Sequence, residues 1–265
     1  GEIYNHLKIR ESLNTIENKV ASWQGHSDTE TLLAAIELWG IERTLKACVG
    51  MFSIALWDRE EKSLTLARDR FGEKPLYYGW FRNVFLFGSE LKAVKAFPGF
   101  DNTISRQALA EYLRFMYVPA PRSIYKDIYK LEPGSFIKLS VSDLVKKEII
   151  KKKYWSLSEV IDSGQKNLIS NEEEALFELE VSLRNSVKSQ MLSDVPLGAF
   201  LSGGVDSSTI VALMQGQSLR PVKTFTVAFE DPRYDDSLYA RKVAHHLGTE
   251  HSELTVTAQE ALDVI

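Results

Sequence analysis

The run Ser202-Gly203-Gly204-Val205-Asp206-Ser207-Ser208 is the stretch of this 265-residue chain best equipped for chemistry. It offers two adjacent glycines, three hydroxyls and one carboxylate. An apolar segment, Leu197-Gly198-Ala199-Phe200-Leu201, leads into it and reads as a short buried strand. Thr209-Ile210-Val211-Ala212-Leu213-Met214 leads out and reads as a helix packed on that strand. A glycine-rich turn between strand and helix leaves main-chain N–H groups free at a helix N-terminus, where phosphate binds without a basic side chain. The spacing and lysine of a Walker loop are missing. A cradle for pyrophosphate, suited to cutting ATP at its α-phosphate, fits the run better.

Other residues invite chemistry less strongly. Asp28 falls in the first turn of an expected helix, where an acid complements the helix dipole. Cys48, between Ala47 and Val49 before an apolar strand, reads as a small core residue. Arg70, Glu73 and Lys74 lie in a loop between strands and read as structural salt-bridge partners. No His/Cys spacing suggests zinc.

The elements around these residues divide the chain. In the first hundred residues, Ser27-Asp28-Thr29-Glu30 matches a capping box. Leu32, Ala35, Ile36 and Trp39 follow at helical spacing, with Gly40 placed to end the helix. Met51–Asp58 and Ser63–Asp69 read as a hairpin about Arg59–Lys62, and Leu76–Trp80 with Val84–Phe87 as another. Strands in succession imply antiparallel sheet. Ser105 can cap a helix carrying Ala108, Leu109, Tyr112, Leu113 and Met116, and Ser135–Leu139 reads as a strand after the turn at Pro133-Gly134. The polar stretch from Ser156 to Asn171 reads as a linker. Beyond it, a long helix carries Leu176, Leu179, Leu183, Val187 and Met191. Then strand, helix, strand (Val222–Phe229), helix and strand (His251–Val256) alternate, which implies a doubly wound parallel sheet. Ligands bind such sheets at the carboxyl ends of strands, where the Ser202 loop falls.

Composition narrows the function classes. The net charge is −4, and the only dense basic stretch, Lys146–Lys153, is interrupted by Glu148 and two isoleucines. A solvated strand or loop edge is expected there rather than nucleic-acid binding. One cysteine precludes an intrachain disulfide and suits a reducing compartment. With no apolar run of about 20 residues and no signal segment, a cytoplasmic protein without membrane contact is expected.

The run Phe200–Ser208 resembles the pyrophosphate loop of glutamine-hydrolysing asparagine synthetases, and the order of segments around it resembles the same family. Gly1-Glu2-Ile3-Tyr4-Asn5 looks like that family's Asn-Gly-Glu-Ile-Tyr-Asn signature, and Ser27-Asp28-Thr29-Glu30 its Ser-Asp-x-Glu. Gly50-Met51-Phe52, Arg68–Tyr78, Asp194–Gly198 and Thr224–Val227 continue the likeness.

The resemblance implies an α+β N-terminal-nucleophile (class II glutamine amidotransferase) domain over residues 1–155, a linker over 156–171, and the first part of an α/β ATP-binding domain of the pyrophosphate-loop type over 172–265. It implies ammonia release from glutamine and its attack on β-aspartyl-AMP made from aspartate and ATP. Gly1, Glu2 and Asp28 would contact glutamine. Ser202, Gly203, Gly204, Asp206, Ser207 and Ser208 would hold ATP, with Leu201 and Val227 at the adenine or ribose, and Asp206 on Mg²⁺. Sheet core is the competing role for Leu201 and Val227. A homodimer is plausible for the family. Its N-terminal cysteine nucleophile, its glutamine-binding arginine and its Ser-Gly-Glu-Gly-x-Asp-Glu motif have no counterpart in this chain, so a piece of a longer enzyme, without glutaminase activity of its own, is expected. A β-lactam-synthetase-like enzyme or other amidating relative, and a non-catalytic relative, are the competing expectations.

Overall fold

The computed structural model describes residues 1–15, 23–193, 195–231, 233 and 235–264. Asp194, part of one motif above, lies outside them. The chain divides into two compact units, Gly1–Leu168 and Ile169–Ile265.

The first unit runs β1 (Glu2–Ile3), α1 (His6–Thr15), α2 (Asp28–Trp39), α3 (Ile41–Ala47), β2 (Gly50–Met51), β3 (Ser53–Asp58), β4 (Ser63–Arg68), β5 (Tyr77–Phe81) and β6 (Val84–Gly88). It continues with α4 (Leu91–Lys95), α5 (Arg106–Phe115), β7 (Ile128–Lys130), β8 (Ser135–Ser140), α6 (Val141–Lys146), β9 (Lys151–Lys153) and α7 (Leu157–Gln165). Among the described residues, three antiparallel sheets result, with orders β1-β2, β3-β4-β8-β9 and β6-β5-β7. The two expected hairpins form, the first in register from Ser53 opposite Arg68 to Asp58 opposite Ser63.

Alternation along β4 and β8 splits this unit into layers. Ala67 and Phe136 join Leu13, Ala35, Leu45 and Cys48 in one cluster, on the side of the helices α1–α3. Their neighbours Leu66 and Ile137 point the other way, into a cluster with Leu76, Tyr78 and Leu131. The lysine-rich stretch forms edge strand β9, exposed at all three positions, with Lys151 paired to Glu132. The segment read as a linker carries helix α7 over most of its length.

Two local expectations change. The capping box at α2 does not form: Ser27 caps the helix by accepting from the Thr29 amide, and Glu30 turns back to the amides of Gln24 and Gly25 at 2.8 and 3.0 Å. Those unpaired N–H groups, with Arg10 beside them, outcompete the Ser27 amide. Along α5 only Ala108 is buried, and Leu113 and Met116 are 72% and 79% exposed.

The second unit runs α8 (Glu172–Gln190), β10 (Gly198–Phe200), α9 (Val205–Gln215), β11 (Lys223–Phe229), α10 (Ser237–Leu247), β12 (Glu250–Val256) and α11 (Ala258–Asp263). Its three strands are parallel in the order β10-β11-β12. Sequential order with right-handed crossovers puts both crossover helices on one face. Leu201, Val211, Ala240 and Ala244 accordingly form one core, and Val187, Leu213, Met214 and Val222 another, which share Ala199. Along β11, Thr224, Thr226 and Ala228 are buried while Phe225, Val227 and Phe229 are exposed. The sheet is therefore wound on one side among the described residues, not doubly as expected. Strand β10 lies at the sheet edge, and Phe200 is 79% exposed rather than buried. The first turns of α8 leave Leu176 and Leu179 exposed, and burial begins near Val187.

Candidate functional site

Each unit carries one group of the residues picked out above. In the second, β10 ends at Phe200, and Leu201 continues into the sheet's hydrogen bonding: its amide donates to the Phe225 carbonyl at 2.9 Å, and its carbonyl accepts from the Thr226 hydroxyl. With its side chain 1% exposed, Leu201 is core and the anchor of the loop.

The chain then turns through Gly203 at φ +78°, and α9 begins with Gly204 as N-cap and no side chain capping it. Val205, Asp206 and Ser207 fill the first three helical positions, whose N–H groups have no intrahelical acceptor. The Ser207 hydroxyl, 3.0 Å from that of Ser202, accepts from the Ser202 amide at 3.3 Å and donates to the Gly204 carbonyl at 3.3 Å. The Ser208 hydroxyl oxygen is buried without a partner. Asp206 is exposed. The result is an uncapped helix start ringed by hydroxyls, an arrangement that suits an anion. Val227 faces the bare side of the sheet, two residues past the Phe200–Phe225 pair and so level with Ser202.

In the first unit, β1 pairs with β2, Glu2 opposite Met51. Asn5 fastens this pairing: its side chain donates to the Ala47 carbonyl at 2.9 Å and accepts from the Val49 amide at 2.8 Å. Gly1 stands so near Met51 that a Cβ would lie 2.6 Å from its carbonyl oxygen. Asp28, at the start of α2, accepts from the Ile3 amide at 3.0 Å. Gly1, Glu2 and Asp28, separated by about 25 residues of chain, thus share one edge of this unit.

The 68–74 loop lies nearby. Burial, and then the carboxylates of Glu73, Glu2 and Asp69, push the Tyr4 phenol up. Burial, and then Asp69, likewise raises Glu73. Among the described residues, Arg70, Glu73 and Lys74 form none of the salt bridges expected of them, and the loop is held by bonds to main chain instead. Arg70 donates to the carbonyls of Cys48 and Lys46, both at 2.7 Å. The Glu73 and Lys74 amides donate to Asp69, which also accepts from Phe52 and Phe71. Arg68 donates to the carbonyls of Lys74, Leu131 and Gly72. Sequence reasoning assigned no role to Arg68, Asp69 or Arg10. The adjacency of unlike charges in Arg68-Asp69 hides that each serves main-chain groups elsewhere.

Cys48 is wholly buried, and its thiol is pushed up to about 12, chiefly by burial, with Arg70 opposing and Asp28 adding. Burial and a raised thiol fit a core residue rather than a nucleophile.

Residues 1–155 match the family model described as Glutamine amidotransferase domain. The chain belongs to the glutamine amidotransferase family. Beyond the amidotransferase segment, residues 178–265 match the model described as Asparagine synthase. Asparagine synthetase (glutamine-hydrolyzing) 1 of Bacillus subtilis is 34% identical over 99% of this chain and 39% of its own length. Asparagine synthetase (glutamine-hydrolyzing) 3 of the same organism is 30% identical over 99% of this chain and 43% of its own length. The chain thus spans about two fifths of the length of these relatives. Glutamine phosphoribosylpyrophosphate amidotransferase of B. subtilis is 12% identical with a TM-score of 0.41, covering 98% of this chain and 70% of that one, a likeness too distant to carry weight. Among the described residues, no helix is long and apolar enough to cross a membrane.

Proposed function

We propose that this chain is part of an enzyme that makes asparagine from aspartate, ATP and glutamine, a ligase that releases AMP and pyrophosphate. The amidotransferase match followed by the asparagine synthase match, in one chain and in that order, is the observation that carries the proposal. Glutamine binds at the edge formed by Gly1, Glu2 and Asp28, with the Asp28 carboxylate on its α-ammonium. Asp28 accepts from the Ile3 amide on one oxygen and from the Thr29 hydroxyl at 3.4 Å on the other, and each oxygen keeps a second lone pair for the ligand.

ATP binds at the Ser202–Ser208 loop, within a domain of the pyrophosphate-loop type. Attack of the aspartate side-chain carboxylate on the α-phosphorus builds charge on departing pyrophosphate. The free N–H groups of Val205, Asp206 and Ser207 stabilise that charge, and the hydroxyls of Ser202, Ser207 and Ser208 join them once they turn from the loop to the phosphates. Val227 offers its half-exposed apolar side chain to the nucleoside, while Leu201 holds the loop. Asp206 would repel phosphate directly and is the residue that would hold Mg²⁺. Among the described residues, no group of three or more acidic, His or Cys side chains forms a metal cage. Mg²⁺ fits such a site, because it takes one carboxylate and completes its shell with phosphate oxygens and water. Bound there, it would offset phosphate charge.

ATP–pyrophosphate exchange by the parent enzyme tests the proposal. Exchange that depends on aspartate is expected. Exchange driven only by another acid, or none with any acid, overturns it.

A further inference from the structure

We infer that Arg10 is a positioning residue for glutamine, one that sets the Asp28 carboxylate where the α-ammonium must meet it. This rests on the glutamine site proposed above. Arg10 is 8% exposed, so its five N–H donors must find acceptors inside the protein. Its Nε donates to the Thr31 hydroxyl at 2.6 Å, and Nη1 to the Gly25 carbonyl at 2.8 Å. Nη2 donates to the Ser27 carbonyl at 2.8 Å and meets Glu30 at 3.3 Å. The Trp23 ring lies 4.3 Å from the guanidinium carbon.

Every one of these partners belongs to the short stretch that delivers Asp28. The Ser27 carbonyl is part of the peptide plane that enters Asp28, so tethering it fixes the direction in which Asp28 leaves the chain. Thr31 and Glu30 fix the first turn of α2 from the other side. Glu30 repeats the device in reverse: its carboxylate takes the Gln24 and Gly25 amides, and those amides hold it below the usual carboxylate range.

At its other end Arg10 belongs to α1, which begins three residues after Ile3. The guanidinium therefore ties the segment carrying Gly1 and Glu2 to the segment carrying Asp28. A buried cation is a poor device for stability alone, because an apolar side chain would fill the space without desolvating a charge. What the planar fork supplies is direction, at two carbonyls at once. Lysine cannot reproduce that.

The test compares two ligands with the 265-residue chain by titration calorimetry: L-glutamine, and glutaramic acid, which is glutamine without its α-ammonium. Arg10→Lys is expected to weaken L-glutamine about tenfold and leave glutaramic acid nearly unchanged, so that selectivity falls towards that of Asp28→Asn. Equal weakening of both ligands overturns the inference, since a merely structural role moves both. Unchanged L-glutamine affinity overturns it too.

Should Arg10→Lys fail to fold, Thr31→Val, which removes only the Nε acceptor, carries the same comparison with a smaller loss. If the wild-type chain binds neither ligand, the glutamine site itself fails, and the ¹⁵N–¹H resonance of Ile3 decides about Arg10. A shift in Arg10→Lys in the direction seen in Asp28→Asn supports the positioning role. An unmoved Ile3 resonance overturns it.

Discussion

A Cβ built on Gly203 would stand 2.6 Å from the main-chain nitrogen of Ala240, at the second turn of α10. Gly203 also holds φ at +78°. The start of α9 is thereby pressed against α10 with no room for a side chain. Gly203→Ala must pay for the left-handed backbone and push α10 away. It is expected to lose about 3 kcal/mol of stability in urea unfolding, together with any ATP binding. Unfolding unchanged within error would show that the loop packs differently.

Asp69 is 1% exposed and gathers four main-chain donors, Phe52, Phe71, Glu73 and Lys74. Asp69→Ala leaves those amides without an acceptor, the buried Phe52 amide among them. A loss of about 3–5 kcal/mol is expected by chemical denaturation, comparable to breaking a buried network. Asp69→Asn keeps one acceptor oxygen and should lose less.

The exposed side of the second unit's sheet gives a prediction of opposite kind. Phe229 is 43% exposed although it lies in the central strand. Phe229→Thr should cost about 1 kcal/mol or less in this chain, against the roughly 3–5 kcal/mol typical of truncating a buried phenylalanine. A loss in the larger range, measured by the urea midpoint, would mean that this face is covered in solution.

Alkaline pH should destabilise the first unit. The Cys48 thiol is raised to about 12, mainly by burial, and burial likewise raises the Tyr154 phenol, whose hydroxyl donates to the Arg68 carbonyl at 2.9 Å. For both groups the folded chain keeps its proton where the unfolded chain has lost it. The unfolded thiol ionises near pH ~8.5 and the unfolded phenol near ~10. Their contribution is therefore complete below about pH 8 and falls as pH rises through 9 to 11. Urea midpoints measured from pH 7.5 to 10.5 should drop. Cys48→Ala should flatten the early part of that drop, and an equal slope in both proteins would refute the assignment.

What could be read beforehand, and what could not, follows from where each residue finds its partner. The β3–β4 hairpin was legible because alternation and the polar turn at Arg59–Lys62 are local signals. Arg68 and Asp69 were not, because their partners are main-chain carbonyls and amides, which carry no residue type, and Arg10 was not, because two of its acceptors are the Gly25 and Ser27 carbonyls. Glu30 was misdirected for the same reason: Gln24 and Gly25 compete for it through N–H groups that every residue has. The one-sided sheet escaped because Phe225, Val227 and Phe229 are as good β-formers as core residues, and periodicity cannot say which face is covered. The Ser202 loop stood out because glycine at positive φ is a requirement that few other residues meet.

The burial of Cys48 has a practical consequence. The only thiol in the chain lies where a maleimide or a spin-label reagent cannot reach it while the protein is folded. No native cysteine has to be deleted before a probe is introduced. A single new cysteine at an exposed position, Leu219 of the α9–β11 turn for example, would carry a dye or nitroxide alone. Slow labelling at Cys48 would then count the moments at which the first unit opens.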